Sequence, residues 1–290
     1  MSDVINHEEQ LPLEDMSFED LRYKGNLSLN KQDYHEALIY FTKALEQNTD
    51  HPFAYLNKAL AHDMLGEYEK AIEDYTKAIE NDPTYFNRAF CYYQLGEYEK
   101  AIEGNTKAIE RDPNNASAYF NRACCYFNLG EYEKAIEDLT KAIELDLNNA
   151  SAYFDRASCY YQLGEYEKAI KDYTICLDRN PVSKELYSKR PVASVYLNRG
   201  ICNHWIKEYD KAVEDYTKVI KLDPYSERAQ RANIELDKLI PVLQHESNKV
   251  EEKTNSKSED FKAIVGIFLL ILGLIAFTLL RFRIFKIWIN

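Results

Sequence analysis

Cys91, Cys125, Cys159 and Cys202 are the residues whose type and spacing first suggest chemistry, since regularly placed thiols can close disulfides or hold zinc. Each stands four residues after an Asn or Asp (Asn87, Asn121, Asp155, Asn198), so they share one local frame. If each interval is one stacked helical unit, equivalent positions lie about 8–10 Å apart. A disulfide needs Cα atoms about 4.4–6.8 Å apart, so the frame forbids bridges, and joint zinc ligation is excluded for the same reason. These thiols are expected to be small buried packing residues. Cys124 and Cys176 add no spacing signal.

Other reactive types give no constellation. His7, His35, His51, His62, His204 and His245 are scattered, and the carboxylates fall on solvated positions. There is no Gly-rich phosphate loop, no His-Glu-x-x-His and no Ser or Cys nucleophile motif. No enzyme activity, cofactor, metal or small-molecule substrate is expected. The net charge of −12 leaves no electrostatic footprint for nucleic acid.

What remains is binding chemistry. Amides and rings recur together: Arg22 and Asn26, then Leu56, Asn57 and Leu60, then Phe86, Asn87, Phe90 and Tyr93. Further on come Phe120, Asn121 and Phe127, then Phe154, Asp155 and Tyr161, then Asn198, His204 and Trp205. Rings supply apolar area and asparagines pair with peptide backbone groups, which suits an extended peptide. The alternative is that half of these rings pack between structural units.

The elements that position these residues are copies of one unit. Gly130-Glu131-Tyr132-Glu133-Lys134-Ala135-Ile136 recurs from Gly66, Gly96 and Gly164, and in worn form at Gln32-Asp33-Tyr34 and Lys207-Glu208-Tyr209. Within a copy, Tyr68, Ala71, Ile72, Tyr75, Ala78 and Ile79 trace the apolar stripe of an amphipathic helix. A period near 34 signals a helical solenoid.

Tyr153-x2-Arg156-Ala157-x2-Tyr160, Ala169-x3-Tyr173 and Pro181 carry the closest likeness, and Tyr196 to Pro224 repeats it. The chain from about Ser17 to Tyr225 resembles the tetratricopeptide repeat family. That resemblance implies an all-α, right-handed superhelical solenoid of about six helix pairs. Its working surface would be a concave groove lined by the first helix of every pair, holding Arg22, Asn26, Asn57 and the rings and amides that follow them.

The domain plan follows. Residues 1–16 are acidic and expected to be disordered. The solenoid spans 17–243, with Ser17 as its first N-cap and Asp20 completing a variant capping box. The third copy is four residues short, placing the loss at the start of its first helix, after Asp82-Pro83. An insertion lies at about 184–192. Residues 225–243 form a capping helix, and 244–262 a flexible linker. Residues 263–280 (AIVGIFLLILGLIAFTLL) lack charge and, as a helix of about 27 Å, match a bilayer's hydrocarbon core. They are expected to be a transmembrane helix, with 281–290 a short basic tail. That makes a tail-anchored protein whose repeats face the cytosol, in a mitochondrial or plastid outer membrane or the endoplasmic reticulum.

Leu21-Arg22-Tyr23-Lys24-Gly25-Asn26 is similar to the start of co-chaperone domains that clamp a chaperone's C-terminal carboxylates. Arg22, Asn26 and Asn57 match that pattern. Asn87 stands where it requires Arg, and Arg88 should face elsewhere. The function expected is a membrane-anchored adaptor that binds peptide segments, with a chaperone-docking receptor as its sharpest form. The alternative is a scaffold working through its outer surfaces without a peptide ligand.

Overall fold

The computed structural model describes residues 12–78, 83–179 and 192–254, without the side chains of Pro83 and 246–254. Thirteen α-helices and no strand occur among them. The helices are α1 (Phe18–Asn30), α2 (Tyr34–Gln47), α3 (Pro52–Met64), α4 (Tyr68–Lys77), α5 (Pro83–Gln94), α6 (Tyr98–Arg111) and α7 (Ala116–Asn128). They continue with α8 (Tyr132–Leu145), α9 (Ala150–Gln162), α10 (Tyr166–Arg179), α11 (Val192–Trp205), α12 (Tyr209–Leu222) and α13 (Glu227–Thr254). The chain forms two compact units, Met1–Cys159 and Tyr160–Asn290, with the boundary inside α9. In the first, each helix from α1 to α7 packs on its successor; in the second, α10, α11, α12 and α13 do so in turn.

Small residues set the approach within a pair. Ala37, Ala71, Ala101, Ala135, Ala169 and Ala212 are fully buried, one in each second helix. The opposing first helix offers Gly25, Ala59, Ala89, Ala123, Ala157 or Gly200. Against Gly25 and Gly200 lie the rings of Phe41 and Tyr216, at 2.8 Å from where a Cβ would stand. The four cysteines of the repeated frame are fully buried, and none of the six is in a disulfide. Burial pushes Cys91, Cys125, Cys159 and Cys202 up to about 12, leaving them protonated packing groups.

The turn between paired helices explains the recurring glycine. Gly66, Gly96, Gly130 and Gly164 all adopt φ of 75–77°, the left-handed conformation that ends a first helix. In the two worn copies Gln32 and Lys207 are held at φ 63° and 64°. A side chain there costs about 1–2 kcal/mol. Lys207→Gly is therefore expected to raise stability by about 0.5–1 kcal/mol after glycine's own entropy cost. A shift of the urea midpoint checks this; an unchanged or lower midpoint would show that the turn carries no strain.

Several boundaries differ from the sequence reading. Ser17 does cap α1, accepting from Asp20 N at 3.2 Å, but its hydroxyl donates to the Asp20 carboxylate at 2.6 Å. Residues 12–16 are ordered: Leu13–Asp15 form a 3-10 turn and Met16 is buried with Leu21 and Ala44, its carbonyl accepting from Gln47. Residues 1–11 lie outside the described residues. The shortened copy loses its turn from α4, which has 10 residues where α6, α8, α10 and α12 have 14; α5 keeps 12. The insertion lies outside the described residues, except that Val192 is buried as the first residue of α11.

The expected capping helix is longer than its sequence range. α13 buries Ala232, Leu236, Leu239 and Leu243 against α11 and α12, then continues to Thr254. It passes through Pro241, whose missing N–H removes one bond of the ladder while leucines on either side hold the helix in place. The flexible linker expected from 244 is thus helical over 244–254. No helix among the described residues is long and apolar enough to cross a membrane. The 263–280 stretch and the 281–290 tail lie outside those residues.

Candidate peptide-binding face

Each first helix presents its groove candidates on one stripe, fixed by the opposite stripe that packs on the second helix. In the Met1–Cys159 unit, Arg22, Asn26, Asn57, Phe86, Asn87, Phe90, Tyr93, Phe120, Asn121, Phe127 and Phe154 are all half-buried. Asn57 Nδ2 donates to Asn26 Oδ1 at 2.7 Å, so adjacent first helices bring these amides together. Arg22 turns to its own helix, donating to Glu19 at 2.7 and 3.0 Å. Glu19 is exposed and the Arg22 side chain partly so, so this pair is readily exchanged for another anion.

The third pair does not complete a carboxylate clamp. Asn87 supplies an amide and no charge. Arg88 points away, donating to Thr76 on α4 at 3.2 Å and lying 5.7 Å from the Tyr85 ring centre. The missing cation matters, because charge-assisted bonds to a carboxylate are about twice as strong as neutral ones.

Three of the rings expected in the groove are drawn to their own turn. Tyr93 packs on Tyr98, and Phe127 on Tyr132, with centroids 5.7 and 5.5 Å apart. Asn128 links the third pair to the fourth, donating to the Tyr93 hydroxyl at 3.4 Å and to Cys124 O at 2.8 Å. Tyr98, Tyr132 and Asn128 escaped the sequence reading. Their signal was present: in the third, fourth and fifth pairs the tyrosine of the Gly-Glu-Tyr run stands five residues beyond the ring it meets.

In the Tyr160–Asn290 unit, Tyr161 packs on Tyr166, and Tyr166 stacks on Trp205 at 5.7 Å and 8°. Trp205 remains 61% exposed, whereas Asn198 is half-buried. His204 meets Tyr209 edge-on rather than joining Trp205.

A second repeated set of polar contacts is structural. Arg122 donates through Nε and Nη2 to Asp138, both at 2.7 Å, and through Nη1 to Thr106 of the preceding pair at 3.0 Å. Arg199 does the same with Asp215 and Thr174. Lys58 takes the place of arginine beside Asp74, at 3.3 Å. The third pair breaks this pattern, with Gly104-Asn105 where the second, fourth, fifth and sixth pairs have Asp followed by Tyr or Leu and the first has Tyr40-Phe41. Asn105 is fully buried: its Nδ2 bonds Ala101 O, and its Oδ1 has no partner. A buried unsatisfied carbonyl costs about 1–3 kcal/mol. Asn105→Leu, the residue type of Leu139 in the next pair, is expected to gain about 1 kcal/mol, read as slower amide exchange in α6. Faster exchange would show that the amide is supporting the helix.

The tetratricopeptide repeat pattern matches residues 52–85, 83–115, 116–149, 150–181 and 193–226, and a second form of it matches 24–51. The chain belongs to the tetratricopeptide repeat family. Small glutamine-rich tetratricopeptide repeat-containing protein 2 of Saccharomyces cerevisiae is 34% identical over 86 residues, covering 28% of this chain and 25% of that protein. Hsp70-Hsp90 organizing protein 2 of Arabidopsis thaliana is 38% identical over 63 residues, covering 22% of this chain and 11% of that protein. The chain thus spans a quarter or less of the length of these relatives. Among solved structures, Pseudomonas aeruginosa pilF matches with a TM-score of 0.61 and 20% identity, over 75% of this chain and 97% of that one. YrrB, described as a TPR protein with an unusual peptide-binding site, gives a TM-score of 0.55 and 24% identity, over 67% of this chain and 97% of that one. At such identities the structural matches speak for the fold.

Proposed function

We propose that the chain is a non-enzymatic protein-interaction adaptor whose first-helix faces take an extended peptide segment of a partner. One observation carries this reading: half-buried rings and amides recur on successive first helices, and Asn26 and Asn57 meet at 2.7 Å. A paired amide can exchange one partner for a peptide group at little net cost, while adjacent rings supply apolar area. Segments of chaperone C-termini are the first candidates, because relatives include Hsp70-Hsp90 organizing proteins. Arg22, Asn26 and Asn57 would face the terminal carboxylate. With Asn87 in the third position, that carboxylate contributes less than in a complete clamp. The apolar 263–280 stretch would tether the adaptor to a membrane.

The chaperone form is tested by fluorescence anisotropy of a labelled chaperone C-terminal peptide with the full chain in non-ionic detergent. Micromolar binding is expected, weakened less than tenfold by C-terminal amidation and at least tenfold by Asn57→Ala. No binding of either peptide form would remove chaperones as the partner class. The tether is tested by deleting 261–290: loss from the carbonate-resistant membrane fraction is expected, and retention would end that reading.

A further inference from the structure

The first pair leaves open a face that the later pairs bury. Leu27 stands on α1 where Ala61, Cys91, Cys125, Cys159 and Cys202 stand on the later first helices, and all five of those are fully buried. Ala61 packs with Ala37 and Phe41, and Cys91 with Ala71 and Tyr75, in each case on the second helix of the preceding pair. Leu27 is instead 40% exposed, and Tyr23, one turn earlier on the same side of α1, is 68% exposed. Among the described residues no helix covers them.

The residue types do not suit a face left to water. An outermost repeat needs a polar outer side to stay soluble. At the position of Tyr23 the later pairs carry Asn57, Asn87, Asn121, Asp155 and Asn198. The first pair thus has a ring where they have an amide or acid, and a leucine where they have alanine or cysteine. Its apolar area is larger on the one first helix whose face is open. Two exposed charges bracket that area: Asp20 lies three residues before Tyr23, and Lys31 four residues after Leu27. The Asp20 carboxylate accepts from the Ser17 hydroxyl, but neither it nor Lys31 has an ion-pair partner among the described residues.

We propose that this face is a homodimer contact, in which α1 packs antiparallel on the α1 of a second copy of the chain. The pattern is self-complementary, as a two-fold contact requires. An axis level with Gly25 sets Tyr23 opposite the partner's Leu27 and Asp20 within one residue of the partner's Lys31, and each match occurs twice. A parallel pairing would set Asp20 against its own copy and Lys31 likewise. Asn26 turns to Asn57 on α3, so the contact uses a different side of α1 from the peptide face and does not depend on it. One helix per copy offers less than the about 800 Å² per partner of a standard interface, so the dimer is weak and reversible.

The test is sedimentation equilibrium of the full chain in density-matched non-ionic detergent. It is run at 0.15 M salt, where screening within about 8 Å limits repulsion between copies of net charge −12. The polypeptide mass is expected to rise from one chain toward two between about 1 and 100 μM. Leu27→Asp should weaken association at least tenfold without changing helix content, because the side chain is partly exposed. Lys31→Asp should also weaken it, and adding Asp20→Lys to that variant should restore it, since the exchanged charges still meet across the axis. A single-chain mass at every concentration would overturn the proposal. So would a dimer unaffected by Leu27→Asp, which would place the contact elsewhere, the apolar 263–280 stretch included. A chain that dimerises only after deletion of residues 1–11 would equally overturn it, because those residues would then be the occupant of the face. Failure of the double exchange to restore association would overturn the antiparallel arrangement.

Discussion

Asp138→Ala is expected to destabilise the fourth pair by about 3–5 kcal/mol, since it strands the Arg122 guanidinium between α6, α7 and α8. Asp138 is 6% and Arg122 17% exposed at the side chain, and two bonds of 2.7 Å join them. Removing the acid also leaves Thr106 as the arginine's remaining hydrogen-bonded side chain. Replacing both partners by Arg122→Met and Asp138→Leu should recover most of the loss, because the apolar pair needs no compensating charge. Urea unfolding followed by amide exchange in α7 and α8 measures each step. A loss under 1 kcal/mol for Asp138→Ala would mean that water already solvates the arginine.

Tyr216 separates two contributions that a single substitution would merge. Its ring is fully buried and lies on Gly200, while its hydroxyl is buried without a hydrogen-bond partner. Tyr216→Ala should cost about 3–5 kcal/mol, as expected for deleting a buried ring whose cavity cannot close. Tyr216→Phe keeps the ring and removes the stranded hydroxyl, and should be neutral or stabilising by up to about 1 kcal/mol. The first pair supports the second expectation, since Phe41 fills the same position against Gly25. Thermal unfolding of the two variants decides it: a large loss in Tyr216→Phe would require an unrecognised partner for the hydroxyl.

The repeat was legible because it satisfies several local rules at once. Alanine stripes, a glycine in the left-handed region and a polar second-helix start all recur at one period, and each demands the same helix pair. The four missing residues were misplaced because sequence order shows only a gap between Lys77 and Thr84. A gap does not say which helix yields: α4 ends at Lys77 after 10 residues, whereas α5 starts at Pro83 and keeps 12. α13 was ended too early for a different reason. Glu, Lys and Gln favour helix as readily as they favour solvated linkers, so polarity after Leu243 did not mark an end.

The peptide face was legible in outline and less so in detail. Amide and ring positions follow from the period, and Asn26 with Asn57 meet as equivalent faces should. Tyr93, Phe127 and Tyr161 are drawn to tyrosines at the start of their own second helices. That preference depends on the turn geometry set by the left-handed glycine.

On the proposed function, first-helix residues, rather than the outer helix surfaces, hold the partner peptide. The most direct measurement selects dodecapeptides from a displayed library on the full chain, then titrates the strongest against wild type, Phe86→Ala, Phe120→Ala and Glu137→Gln. At least a tenfold loss of affinity is expected in both phenylalanine variants and none in Glu137→Gln, an exposed position on α8. Peptides that bind equally well to both phenylalanine variants would contradict it and favour a scaffold acting through its outer surfaces.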